Sequence, residues 1–199
     1  MKFTKLLATA ALSISSMTAF ALPMSNAESF YLTDANGVDD SFFTFNWSGS
    51  TSNSFGIYDF TQDNLGNVTV TSTLTIFDAS TSNPFSFINF DLNAGTATSS
   101  NSGDVADIDE SFGFYIENTN GTFYSHADLN GGTDYLNVYL NSLQGTLQLN
   151  WEDTLDNDSD FNDLEILVED VSVSEPGTLA LLGLGLAGLG FARRRQSAA

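Results

Sequence analysis

From Val68 to Ile76 the chain reads Val-Thr-Val-Thr-Ser-Thr-Leu-Thr-Ile, with Val68, Val70, Leu74 and Ile76 at even positions and threonine at every odd one. A strand with one buried face produces this pattern, because successive side chains point to opposite faces. β-Branched threonines also suit the solvated side of a pleated surface. The same period of two recurs in Phe43, Phe45 and Trp47, and in Phe85 and Phe87. It recurs again in Phe112, Phe114 and Ile116, in Leu136, Val138 and Leu140, in Leu147, Leu149 and Trp151, and in Leu164, Ile166 and Val168. Turn-forming clusters separate these runs: Trp47-Ser48-Gly49-Ser50, Asn64-Leu65-Gly66-Asn67, Asn93-Ala94-Gly95, Asn120-Gly121 and Asn130-Gly131-Gly132. Asn-Gly pairs supply the positive φ that tight hairpins require. No stretch of the body shows a helical period. Many short strands at this spacing predict an all-β fold, an antiparallel β-sandwich or jelly-roll-like single domain over residues 28–172.

The two ends break the pattern. Met1 is followed by Lys2 and Lys5, an apolar stretch from Leu6 to Ile14, and Ala19-Phe20-Ala21. A basic head, an apolar middle and an A-x-A-like end predict a signal peptide over residues 1–21, with cleavage after Ala21 or, as second choice, after Ala27. At the other end, Leu179 to Ala192 is a continuous apolar run closed by Arg193, Arg194 and Arg195. Positive residues after an apolar span stay cytoplasmic. The run is shorter than the roughly 20 residues that cross a bilayer comfortably. It predicts a short C-terminal transmembrane helix that anchors the chain transiently in the inner membrane. Gly183-Leu184-Gly185-Leu186-Ala187-Gly188 matches G-x-G-x-x-G, but a dinucleotide site needs a preceding strand, a following helix and an acid about 20 residues on, and none of the 11 residues after Gly188 is acidic.

Charge sharpens the contrast between body and ends. All five basic residues lie in the ends, and all 25 acidic residues lie between Glu28 and Glu175. Removing five positive charges from a net −20 leaves a body of −25. Internal ion pairs with Lys or Arg are impossible in that body, and self-repulsion opposes compaction. Bound divalent cations or external salt are expected to offset it. Nucleic acid is excluded as a partner of the body, since phosphate binding needs Lys and Arg. Cysteine is absent, so this exported fold uses no disulfide.

The densest candidate chemistry is Trp151 to Asp163, with six carboxylates and two asparagines between Glu152 and Asp163. Calcium takes six to eight oxygen ligands from such groups. Asp153, Asp156, Asp158, Asp160, Asn162 and Asp163 are the candidate Ca2+ ligands. Asp156, Asp158 and Asp160 imitate the start of an EF-hand loop, but Phe161 replaces its glycine and Leu167 its terminal glutamate. The expectation is a calcium site on a β-loop, against a solvated acidic turn. Transition metals are disfavoured, because His126 stands alone and no cysteine is present.

Two resemblances bear on function. Ser174-Glu175-Pro176-Gly177-Thr178, the apolar run and the Arg cluster over residues 173–196 resemble the PEP-CTERM sorting signal of Gram-negative bacteria. Glu175 and Pro176 match its Pro-Glu-Pro motif, and Ser174 stands in place of the first proline. The resemblance implies an exosortase-type membrane protease as partner, with Glu175, Pro176, Arg193, Arg194 and Arg195 as sorting and processing residues. The body carries Phe55-Gly56-Ile57-Tyr58-Asp59, Phe112-Gly113-Phe114-Tyr115-Ile116, Thr122-Phe123-Tyr124-Ser125, Leu129-Asn130, Trp151-Glu152-Asp153 and Asp158-Ser159-Asp160-Phe161-Asn162-Asp163-Leu164. These resemble an uncharacterised extracellular domain family that often precedes such tails, which implies a β-rich domain with a cation site and no established activity.

The functional expectation is an exported, non-catalytic cell-surface or matrix protein, calcium-stabilised and associated with exopolysaccharide or biofilm. A carbohydrate-binding, lectin-like module is the alternative, although Trp47 and Trp151 fall on the alternating pattern and so read as core. A secreted glycoside hydrolase ranks below both. Its carboxylate pair is not singled out among so many acids. A Ser–His–Asp triad would have to use Ser125, His126 and Asp128, neighbours in sequence, whereas triads are defined by geometry. His126 reads as an ordinary turn residue.

Overall fold

The computed structural model describes residues 27–33, 40–47, 53–78, 85–141, 146–154 and 160–173. Among them the regular structure is strand, with one short 3₁₀ turn at Ala127–Asn130. The strands are β1 (Phe30–Leu32), β2 (Asp40–Trp47), β3 (Ser54–Gln62), β4 (Val68–Phe77), β5 (Phe85–Asp91), β6 (Thr96–Ser99) and β7 (Val105–Asp107). They continue with β8 (Ser111–Asn118), β9 (Gly121–Tyr124), β10 (Leu136–Asn141), β11 (Thr146–Trp151), β12 (Leu164–Val168) and β13 (Val171–Val173). One sheet runs β13-β1-β8-β3-β4, with β9 also on β8; the other runs β10-β11-β12-β2-β5-β6-β7. Every pairing is antiparallel. The predicted all-β antiparallel class is therefore the observed one. The predicted signal peptide and C-terminal helix lie outside the described residues.

Side chains from both sheets join one hydrophobic cluster, in which Phe30, Phe55, Ile57, Phe112, Phe114 and Ile116 of the first sheet meet Ile88, Leu149, Trp151, Leu164, Ile166 and Val168 of the second. Aromatic pairs order its centre: Phe30 meets Phe114 edge-on at 4.6 Å between ring centroids, and Phe55 stacks on Phe114 at 5.4 Å. The alternation of β4 survives as read, with Thr69, Thr71, Thr73 and Thr75 exposed and Leu74 and Ile76 buried.

β5 corrects the reading of its aromatic pair. Phe85 and Phe87 are 50% and 48% exposed, while Ser86, Ile88 and Phe90 are buried. The strand carries apolar residues on both phases, and only one phase can face the core. Burying Phe85 and Phe87 would require a one-residue slip that takes Asn89 and Asp91 inward with them. Leu140, at the end of outermost strand β10, is likewise 42% exposed rather than core.

β3 and β8 are buried on both faces along Phe55–Tyr58 and Phe112–Ile116. Their twin Phe-Gly-x-Tyr segments explain how. Gly56 lies opposite Tyr115, and Tyr58 opposite Gly113. Each tyrosine ring lies over the glycine across from it. A Cβ on Gly113 would overlap the Tyr58 ring, and one on Gly56 would overlap the Tyr115 ring and the Leu74 carbonyl. Neither glycine is there for unusual backbone angles; the requirement is close approach. The Tyr115 hydroxyl then meets Thr75 Oγ1 at 2.9 Å.

Candidate functional site

β11 ends at Trp151, and the chain turns into Glu152 and Asp153, both buried. The Glu152 amide donates to the Tyr135 carbonyl at 2.9 Å, and the Asp163 amide donates to the Trp151 carbonyl at 3.2 Å. Those bonds pin both ends of the acidic loop to the second sheet. Within it, the Asp153 amide donates to Asp163 Oδ2 at 3.0 Å, and the Phe161 amide donates to Glu152 Oε1. Phe161 holds φ at 50°, a left-handed conformation uncommon for an aromatic residue.

Three asparagines complete the cluster. Asn53 Nδ2 donates to Asp153 Oδ2 at 2.8 Å. Asn118 Nδ2 donates to the Asp153 carbonyl at 2.7 Å and to Asn53 Oδ1 at 2.8 Å. Asn120 Nδ2 reaches the same Asp153 carbonyl at 3.3 Å, and its amide donates to Asn118 Oδ1 at 2.7 Å. In a body without Lys or Arg, amide donors occupy the position that cations hold in other proteins. Buried carboxylates otherwise carry a heavy desolvation cost. The sequence reading missed these asparagines: Asn118 and Asn120 sit in what reads as an ordinary hairpin turn, and Asn53 lies about 100 residues from its partner.

The predicted calcium ligands divide accordingly. Asp153 is buried against Asn53, and Asp163 is half-buried on the Asp153 amide. Asp160 and Asn162 are exposed and joined by Asn162 Nδ2 donating to Asp160 Oδ2 at 2.6 Å. Asp156 and Asp158 lie outside the described residues, as do Glu175, Pro176, Arg193, Arg194 and Arg195. Among the described residues, no group of three or more His, Cys, Asp or Glu is arranged to hold a metal ion.

A second polar cluster sits on the outer side of β3 and β8, and it overturns the reading of His126 as an ordinary turn residue. His126 is 2% exposed. Its Nδ1 meets the Tyr58 hydroxyl at 2.5 Å, and its Nε2 meets Ser29 Oγ at 3.1 Å. Ser125 Oγ donates to the Glu28 carbonyl at 2.7 Å, and the Ala127 amide donates to Glu28 Oε1 at 3.1 Å. The hydroxyl of Tyr58 also accepts from the His126 amide at 3.3 Å. The Tyr58 hydroxyl also lies 3.2 Å from Ser125 Oγ, so its proton has two acceptors within reach. In the neutral imidazole one ring nitrogen donates and the other accepts. Burial pushes the His126 pKa down from 6.5 to about 4, against a smaller upward pull from Asp128. Burial likewise raises the Tyr58 phenol well above its usual range.

This is not the arrangement of a nucleophilic triad. Both ring nitrogens of His126 are taken by Tyr58 and Ser29, and Asp128 is exposed. The cluster fastens Glu28 and Ser29 to the body. No local sequence signal marks it, because its members come from positions 28–29, 58 and 125–127.

The architecture defines a class: an acidic all-β body whose final strand leads directly into an apolar, Arg-terminated tail. The family described as the PEP-CTERM protein-sorting motif matches residues 172–196. That motif is the exosortase recognition signal, and it marks the chain as an exported protein sorted at the membrane. No curated protein matches the chain, and no solved structure does. Among the described residues no helix is long and apolar enough to cross a membrane; the apolar run of the tail lies outside them.

Proposed function

We propose that this chain is a non-catalytic cell-surface or extracellular-matrix protein, delivered by its sorting tail and associated outside the cell with exopolysaccharide or biofilm. The observation that carries the reading is the sorting motif at residues 172–196, which begins within the last strand of the body. An N-terminal signal peptide starts export, an exosortase-type protease acts near Glu175-Pro176, and loss of the tail removes the last positive charges. The two sheets then face each other as a β-sandwich that is wholly acidic on release. Cell fractionation with antibody against the body tests the address; retention in the cytoplasm would overturn it.

Calcium stabilisation belongs to the same proposal. Asp153, Asp156, Asp158, Asp160, Asn162 and Asp163 would hold the ion, and their hard-oxygen chemistry fits it. The burial of Glu152 and Asp153 in a body without cationic side chains supports the reading. Asp156 and Asp158 would have to complete the ligand set. Melting of the purified body with Ca2+ and with EDTA is the test. A site filled at 100 times its Kd adds about 2.7 kcal/mol, and an unchanged melting temperature removes calcium from the account.

A lectin-like reading is favoured by one observation. Phe85 and Phe87 present two half-exposed rings on one face of β5, and aromatic faces stack on sugars. Trp151 is fully buried and takes no part in such a platform. A glycan array probed with the purified body decides it: binding lost in a Phe85→Ser/Phe87→Ser variant supports the module, and a blank array ends it.

A further inference from the structure

The outermost strands of a sheet present unpaired backbone N–H and C=O groups, a template on which another chain can pair. Folded proteins blunt such edges with short length, charge, shifts of register or a cover. Most outermost strands among the described residues are blunted in one of these ways. β7 has three residues, ends on Asp107 and runs on to Asp109 and Glu110. β13 has three residues and follows Glu169 and Asp170. On β9 the Tyr124 amide donates to Asn130 Oδ1 at 2.9 Å, and the Tyr124 carbonyl accepts from Asn130 Nδ2 at 2.7 Å. β4 is long and uncharged, but its register against β3 shifts twice, and the Ile76 carbonyl accepts from Asn101 Nδ2 at 3.2 Å.

Among the described residues β10 carries none of these devices. Its six residues, Leu136-Asn137-Val138-Tyr139-Leu140-Asn141, include no charge, proline or glycine. They keep one unbroken register with β11, their sole partner among the described strands. Gln148 and Asn150, opposite Tyr139 and Asn137, are uncharged as well. In a body of 25 acids without Lys or Arg, an uncharged edge is where a second copy meets the least repulsion. Leu140 is an independent mark on the same strand. It shares its phase with Leu136 and Val138. Those two are buried, whereas Leu140 is 42% exposed.

We propose that β10 is a self-association edge: two copies pair β10 to β10, antiparallel about a two-fold axis, so that their second sheets run on into each other. A two-fold contact uses the same patch on both copies and is self-complementary. With the axis perpendicular to the sheet, both inward faces stay on one side, so residues opposite each other have the same parity. Placing Val138 on the axis sets Leu140 opposite the partner's Leu136, and Asn137 opposite the partner's Tyr139. The pairing covers Leu140 and satisfies the open backbone groups of the edge. It uses no ion pair and no cation, and it is independent of the calcium and polysaccharide readings. An edge of six residues buries less than the roughly 1,200 Å² of a standard interface, so the dimer is a weak one that crowding at the cell surface favours.

Sedimentation velocity of the full chain, in mild detergent with EDTA present, reads the association. The dimer fraction is expected to grow as NaCl rises from about 0.05 to about 0.5 M, because salt screens repulsion between the acidic bodies and no ion pair is lost. Leu140→Asp sets a carboxylate into the pairing and is expected to raise the dimer dissociation constant roughly tenfold or more. Leu65→Asp, on an 87% exposed residue of the β3–β4 turn, is expected to leave it unchanged. The double variant Asn137→Cys/Tyr139→Cys, in a chain that has no other cysteine, is expected to form an intermolecular disulfide on mild oxidation, since opposite positions lie within its reach. Leu65→Cys is the control and is expected to cross-link far more slowly. The disulfide decides alone if Leu140→Asp does not fold. Association that falls with salt, or that Leu140→Asp weakens no more than Leu65→Asp does, overturns the proposal. So does a chain that stays monomeric at every salt concentration and forms no disulfide.

Discussion

Lowering the pH from 8 to 5 singles out His126. The imidazole is buried, with Nδ1 on the Tyr58 hydroxyl and Nε2 on Ser29 Oγ. A charged ring at this site would lose its hydration. Its folded pKa is pushed down to about 4 from 6.5, so the unfolded chain binds the proton first. The stabilisation from neutral His126 is therefore fully present above about pH 6.5 and is lost as the pH falls toward 4. Linkage between those two values puts the loss by pH 5 at about 2 kcal/mol, an order-of-magnitude figure. The surrounding groups are Tyr58 and Phe60 on β3, Tyr124 on β9, Glu28 and Ser29 from the N-terminal segment, and Asp128 on the 3₁₀ turn. Many carboxylates elsewhere also respond to acid, and protonating them relieves self-repulsion, which acts in the opposite direction. The decisive quantity is therefore a difference between two proteins. Urea unfolding of the body at pH 8, 7, 6 and 5 is compared with that of His126→Gln, which is less stable at pH 8 and does not titrate. The gap is expected to narrow by about 2 kcal/mol toward pH 5. A gap that stays constant across the series would refute the assignment of a neutral, buried imidazole.

Three further outcomes follow from the packing. Gly113→Ala drives a methyl into the Tyr58 ring and is expected to cost about 1–3 kcal/mol or more, read as a lowered denaturant midpoint with an unchanged m-value. Ile88→Ala is expected to cost about 2–5 kcal/mol, whereas Phe87→Ser on the opposite face of the same strand stays below about 1 kcal/mol; equal losses in melting would return Phe87 to the core. Asn53→Ala removes the donor to Asp153 Oδ2 at a buried site and is expected to cost about 1–3 kcal/mol. The same variant raises the dependence of melting on added Ca2+ if a cation shares that carboxylate, and differential scanning calorimetry reads both effects.

The fold class was written in side-chain parity. β4 could be read residue by residue, because Thr69, Thr71, Thr73 and Thr75 are exposed while the even positions between them are half-buried and then, at Leu74 and Ile76, buried. β5 could not, since its apolar residues occupy both phases and the polar Asn89 and Asp91 cast the deciding vote. β3 and β8 carry no alternation across Phe55–Tyr58 and Phe112–Ile116, because both of their faces are covered. Their repeated Phe-Gly-x-Tyr was visible as a motif, but its meaning, tyrosine over cross-strand glycine, depends on register.

The sequence by itself determined the strand content, the wholly acidic body and the tail at residues 172–196. Each of these is a property of neighbouring residues: parity, charge and contiguous apolar length. The tertiary structure alone decided that His126 is buried beneath Tyr58, that Asn53 and Asn118 attend Asp153, and that the strand entering the sorting tail pairs with the first strand of the body. Those contacts join residues 35 to 143 positions apart, and such pairings are set by which strands share a sheet edge. Local spacing carries no record of that choice.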